Sequence, residues 1–262
     1  MAQVDQRVTG TEFDHTSFAV RDMAYWVRRL RRDLGATPIA GEVLPEFRYL
    51  LFHVGDERAG ARLELMDARG DGFLTRFLAR HGDAPHHLTF IVSDLAATVE
   101  RARRQGLAVV NDDLGHPPWR EAFLAPDAIH GVVVQLAQTT RRFPGDAELL
   151  ASRDRDASRY PSNRGAADPC WWTSVWDEAP LRTATLGPTV LHSVDLGASA
   201  SLFGDLLGGS VRRDGDDELR ISWGRRSLVV RAGSPPGVAH VEAEGGPPAG
   251  LAIGRVLIGA DR

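Results

Sequence analysis

Cysteine is almost missing from this chain. Cys170 stands alone, which excludes an internal disulfide framework and a zinc site built from cysteines. No apolar run is long enough to span a bilayer, and no basic-then-apolar leader opens the sequence, so it reads as cytoplasmic with no membrane partner. A sustained basic stripe is absent too. The formal net charge is −4. Two arginine groups, Arg28, Arg29, Arg31 and Arg32, then Arg101, Arg103 and Arg104, fall on helical patterns and read as solvated faces. Nucleic-acid binding is therefore not supported. The ordinary remainder, 43% hydrophobic and 25% charged, is that of a globular protein. Its 262 residues leave room for one large domain or two ordinary ones.

What is present is a repeat. The run Pro85-His86-His87-Leu88-Thr89-Phe90-Ile91-Val92 reads as a buried strand, followed by Ser93-Asp94-Leu95 at a helix start. An earlier run, His15-Thr16-Ser17-Phe18-Ala19-Val20 with Arg21-Asp22-Met23, has the same order of histidine, phenylalanine, valine and aspartate. Each member is offset by 72 (87 − 15). Gly35 and Gly106, each expected to close the following helix, are 71 apart. Two copies of one supersecondary unit point to duplication within the fold.

The first copy reads as strand Phe13 to Val20, helix Met23 to Leu34 capped by Asp22, and strands Arg48 to Val54 and Ala61 to Met66. A further strand fits near Pro38 to Val43. A helical connector, Gly72 to His81, leads to the second copy: strand His87 to Val92, helix Leu95 to Gln105, and strands at 108–111, 121–124 and 131–137. Residues 1–140 thus form one pair of modules. Residues 141–184 read as a linker holding the tryptophan cluster Cys170-Trp171-Trp172 and Trp176. Residues 185–262 read as a degenerate, incomplete second pair. In that half Asp195 caps a helix from Leu196 to Leu207, and the position matching His15 and His87 falls on Pro188. Strands 218–223 and 227–231 follow the helix, then 238–244 with His240, and a single final strand, Leu251 to Ile258.

Two more residues join the histidines. Leu63-Glu64-Leu65-Met66 sets a carboxylate in an apolar strand, and Val133-Val134-Gln135-Leu136 sets an amide at the matching place, 71 residues on. Burying such a group unpaired costs several kcal/mol, and a divalent metal would partner it. The set His15, Glu64, His87 and Gln135 suits zinc, iron, cobalt, nickel or manganese without choosing among them. Strand neighbours point to opposite faces, so only one of His86 and His87 looks into a given site. His87 matches His15, and His86 is expected to face the other way.

These residues carry a resemblance to the vicinal oxygen chelate superfamily, which includes glyoxalase I, methylmalonyl-CoA epimerase, extradiol dioxygenases and bleomycin-resistance proteins. It runs through His15, Phe18, Asp22, Gly35 and Leu63-Glu64-Leu65, then His87, Asp94, Gly106 and His130-Gly131-Val132-Val133-Val134-Gln135-Leu136. Trp119-Arg120-Glu121-Ala122-Phe123 looks most like epimerase-type members. The resemblance implies an α+β fold of tandem βαβββ modules, with curved mixed sheets around a cleft. It places the metal ligands on His15, Glu64, His87 and Gln135, where Gln135 departs from the commoner glutamate.

It further implies a lyase or isomerase/epimerase acting on a small carbonyl- or CoA-type substrate through a metal-stabilised enolate. Glu46 and Glu121 are then the candidate bases, with His116 and His130 as candidate proton shuttles. Extradiol cleavage fits less well, because that branch needs an anionic ligand where Gln135 stands. The alternative is a protein that sequesters a drug or metabolite between aromatic walls such as Trp26, Phe47, Tyr49 and Trp119. A homodimer is compatible with either reading, since related proteins often pair.

Overall fold

The computed structural model describes residues 10–56, 58–115, 118–140, 147–148, 150, 174–175 and 178–260. His116, Cys170 and the tryptophans at 171, 172 and 176 lie outside them. The first module runs β1 (Glu12–Ala19), α1 (Met23–Leu34), β2 (Thr37–Val43), β3 (Phe47–Gly55) and β4 (Gly60–Ala68). After α2 (Phe73–His81) comes the second module. It comprises β5 (Ala84–Ile91), α3 (Leu95–Arg104), β6 (Val109–Asp113), β7 (Trp119–Leu124) and β8 (Val133–Thr139). The third has β9 (Thr185–Ser193), the short helix α4 (Leu196–Ser199) continuing as a π-helical stretch (Ala200–Leu206), β10 (Ser210–Asp214), β11 (Glu218–Trp223) and β12 (Arg226–Ala232). The last strands are β13 (Gly237–Glu244), β14 (Leu251–Ile253) and β15 (Val256–Gly259).

These form two mixed sheets in an α+β fold. One has eight strands in the order β2-β3-β4-β1-β5-β8-β7-β6, the other seven in the order β10-β11-β12-β9-β13-β15-β14. Within each full module the order is the same: the opening strand lies beside the last, and the two middle strands run outward from it. The fourth copy keeps the arrangement with a strand fewer.

Local chemistry explains the repetition. Asp22, Asp94 and Asp195 each accept the backbone N–H three residues on, from Tyr25, Ala97 and Ala198. Each satisfies an orphan donor of its helix. At the far ends, Gly35, Gly106 and Gly208 all take positive φ, 69°, 78° and 68°, where glycine has no Cβ penalty. The caps differ in one respect. Gly35 and Gly208 donate to the carbonyls of Arg31 and Gly204, four residues back, whereas Gly106 donates to Arg103, only three back. Gly35 stands 13 residues after Asp22 and Gly106 stands 12 after Asp94, so the offset is 71 at these glycines.

By contacts the chain resolves into two compact units. One comprises Met1–Asp14, Leu88–Phe143 and Leu191–Gly237; the other comprises His15–His87, Pro144–Val190 and Val238–Arg262. The first is centred on aromatic rings: Phe90 stacks on Phe13 at 5.1 Å, meets Trp223 edge-on at 4.9 Å and packs against Phe203 at 6.0 Å. Trp223 is anchored by donating its indole N–H to the Leu207 carbonyl. In the second, Ala19 and Met66 pack with Leu74 and Leu78 of α2, flanked by Phe47, Tyr49 and Phe77.

Three expectations change. Arg31 is buried rather than solvated, because its Nε–H donates to the Glu178 carbonyl at 2.7 Å where the chain crosses the helix. Strand β10, too polar to stand out, pairs with β11 along its whole length. The final strand is a hairpin: Gly254 and Arg255 turn the chain, and Leu251 faces Ile258 across it. Gly254 takes φ 58°, and an added Cβ there would stand 2.0 Å from the Asp83 carbonyl oxygen. No helix among the described residues is long and apolar enough to cross a membrane.

Phe90→Ala should cost about 3–5 kcal/mol, as expected for a fully buried aromatic. Asp94→Ala should cost about 1 kcal/mol through loss of its cap. Urea unfolding of the two variants beside wild type measures both.

Candidate metal centre

The centre is built on three strands. β1 and β4 pair in parallel, with Ser17 beside Glu64 and Phe18 beside Leu65. Alternation therefore puts His15, Ser17 and Glu64 on one face, while Phe18 and Leu65 enter the core behind it. β5 contributes His87. The three side chains are 6%, 8% and 4% exposed for His15, Glu64 and His87. One ligating atom from each lies within 4.8 Å of the others. Glu64 Oε2 is 3.6 Å from His15 Nε2 and 3.6 Å from His87 Nε2. Two ligands on one ion, with bonds of about 2.1 Å, stand roughly 3–3.5 Å apart. Two imidazoles and a carboxylate at this spacing fit a divalent transition metal without rearrangement of the strands.

A family model described as the glyoxalase/bleomycin resistance protein/dioxygenase superfamily matches residues 14–123. Residues 14–123 are thus similar to members of that superfamily. No curated protein matches the chain. Among solved structures, a methylmalonyl-CoA epimerase from Mycobacterium tuberculosis is 26% identical. The match covers 53% of this chain and 94% of that one, with a TM-score of 0.44. A Streptomyces coelicolor methylmalonyl-CoA epimerase variant in complex with 2-nitronate-propionyl-CoA is also 26% identical. That match covers 50% of this chain and 96% of the other, at a TM-score of 0.43. A hypothetical protein from Staphylococcus aureus is only 8% identical but matches over 95% of this chain and 97% of its own, with a TM-score of 0.57. The fold likeness thus reaches well past the region of the superfamily match.

Gln135 occupies on β8 the place that Glu64 holds on β4. Its Oε1 accepts from Thr89 Oγ1 at 2.7 Å, and its Nε2 donates to Glu121 Oε2 at 2.8 Å. Glu121 Oε2 also accepts the indole N–H of Trp119 at 3.0 Å. Glu46 is exposed and is not a member of the histidine–glutamate group; its carboxylate lies over Gly72, where an added Cβ would meet Oε2 at 2.6 Å. His130 is buried, with Nδ1 3.1 Å from the Asp127 carboxylate and its ring edge-on to Phe203. Burial raises the Asp127 carboxyl, but hydrogen bonds from the backbone and ring of His130 outweigh it and hold the group below its usual range. Trp26 is a core residue whose Nε1–H donates to Asp83, not a wall for a ligand.

Two participants escaped the sequence reading. Ser17 Oγ donates to Glu64 Oε2 at 2.6 Å and stands 2.9 Å from His87 Nε2. The signal for it was the repeat itself, carried two residues past each histidine. The second is His86, which does not turn away. Its Nδ1 is 2.8 Å from His87 Nδ1, and its ring packs against Phe77 and Phe73 of α2 at 4.7 and 5.6 Å. The apolar pocket offered by those two rings at the start of β5 overrides strict alternation. Desolvation there pushes the His86 pKa down to about 4, with a smaller push from His81 and an opposing pull from Glu64.

Two measurements follow. Metal analysis of purified protein should find one equivalent in wild type and in His86→Phe, and none in His15→Ala or His87→Ala; metal unchanged in the last two would remove the site. Separately, a histidine whose folded pKa lies below its unfolded value of about 6.5 binds its proton more readily when unfolded. Stability is then full above pH 6.5 and falls as the pH drops toward 4. His86 should account for about 2 kcal/mol of that loss by pH 5. The pH 7-to-5 drop in urea stability, with chelator present throughout, should be smaller by that amount in His86→Phe.

Proposed function

We propose that this protein is a metal-dependent lyase or isomerase, of the epimerase or glyoxalase type, acting on a small oxygenated substrate by enolate chemistry. The observation that carries this reading is the buried group of His15, Glu64 and His87. These three would hold the ion, and the resemblance adds Gln135 as a fourth ligand. A divalent ion so held polarises a substrate carbonyl and lowers the cost of removing the adjacent proton. Everything else falls to the protein's own side chains. Glu64 brings a single negative charge to the ligand set, and Gln135 is neutral, so the site keeps a net positive character that favours a developing enolate.

Of the two candidate bases, Glu121 is better placed by its bonds. Trp119 and Gln135 both donate to its Oε2, which fixes the orientation of the carboxylate beside a proposed ligand. Glu46, exposed over Gly72, has no comparable tie to the ligand set. A base must lie within hydrogen-bond reach of the proton it removes, and a rotationally fixed carboxylate meets that demand with less loss of entropy. His130 is committed to Asp127 and takes no part in this reading.

The test is solvent exchange. Metal-loaded protein incubated in D2O with a panel of short acyl-CoA thioesters and 2-oxo compounds should deuterate one class at the carbon next to the carbonyl. Glu121→Gln should slow that exchange by about 10²-fold or more. Tight binding of a panel member, with no exchange in any, would replace the enzyme reading with sequestration.

A further inference from the structure

The same hydrogen bond occurs twice at equivalent places. Ser17 Oγ donates to Glu64 Oε2 at 2.6 Å, and Thr89 Oγ1 donates to Gln135 Oε1 at 2.7 Å. Each hydroxyl stands two residues after a histidine and five before a capping aspartate: Ser17 between His15 and Asp22, Thr89 between His87 and Asp94. All four partners of the two bonds are buried.

The third module provides the contrast. Counting back from Asp195, the histidine position is Pro188 and the hydroxyl position is Val190. Its last strand, Arg226-Ser227-Leu228-Val229-Val230-Arg231-Ala232, carries neither acid nor amide. Yet the aspartate cap, the left-handed glycine and the strand order all persist there. Histidine, hydroxyl and acid or amide are thus lost as a set while the fold is kept. A hydroxyl serving only the strand would have no reason to follow the histidine.

We infer that Ser17 is a positioning residue of the metal centre, fixing the oxygen that Glu64 presents, and that Thr89 fixes the oxygen of Gln135 in the same way. The inference rests on the metal reading above. The terminal torsion of a glutamate or glutamine is broad and weakly restrained, so one buried O–H donor decides where the oxygen points. A carboxylate oxygen bonded in this way keeps further lone pairs for an ion. For Gln135 the donor does more. A hydroxyl donating from Thr89 requires Oε1 on its side, and the Glu121 carboxylate requires Nε2 on the other. Together they select the amide rotamer that offers an oxygen, the only atom of that group able to act as a ligand. Ser17 additionally touches His87, so its hydroxyl meets two of the three grouped side chains.

The experiment compares Ser17→Thr, which copies the second module, with the isosteric Ser17→Val, alongside Ser17→Ala and Thr89→Val. Zn2+ affinity is measured by competition with a chromophoric chelator, and Co2+ loading by visible absorption. Ser17→Thr should bind within about 3-fold of wild type. Ser17→Val, Ser17→Ala and Thr89→Val should bind 10–100-fold more weakly, with one equivalent of metal still reached at saturation. Comparison of the threonine and valine variants, equal in volume, removes packing as the cause. Equal affinity in that pair overturns the positioning role while leaving the metal site intact. A wild-type protein that takes up no ion overturns the metal reading, and this inference with it.

Discussion

The register of β1 against β4 is the constraint on which the rest depends. Ser17 beside Glu64 and Phe18 beside Leu65 sort one strand pair into a polar face and an apolar one. A slip of one residue would send Glu64 to the side of Phe18 and present the leucines to the histidines, since side chains alternate with period two. The carboxylate would then be buried among hydrocarbon at a cost of several kcal/mol. The hydrophobic core therefore chooses the register, and the register delivers the ligating atoms to within 4.8 Å of one another. No residue of the centre takes a positive φ to get there.

Duplication extends this economy. The aspartate cap and the left-handed glycine set the length of the helix between an opening strand and its successors. A module with the same caps returns its last strand to the same neighbour. The offset between the copies is 72 again on their third strands, where Leu51 faces Glu64 and Phe123 faces Gln135, and 71 on the last, so the pairing is kept although connections differ by a residue. In the third copy the cap and the strand order survive without the polar set.

Much of this was legible in the sequence, because repeats convert weak signals into strong ones. A lone strand histidine says little, but His15 and His87 at matching distances from Asp22 and Asp94 say a good deal. Helix α1 was readable residue for residue, since Asp22 and Gly35 bracket an amphipathic run. What stayed hidden were effects of packing. Nothing in Pro85-His86-His87 announces that Phe73 and Phe77 will hold His86 against its neighbour. Arg31 looks like any surface arginine until the Glu178 carbonyl meets it. Ser17 and Thr89 were visible in the repeat but unremarked, because hydroxyls on strands are common and only the partner each one bonds separates a structural hydroxyl from one that serves a site.

The turn at Gly254 ties the C-terminal strands to the start of β5. Its backbone lies so close to the Asp83 carbonyl that no side chain fits between them. Asp83 in turn accepts from the Arg21 backbone and the Trp26 indole, three residues before the histidine doublet begins. The terminal hairpin thus acts as a doorstop where β5 begins, the strand that carries His87.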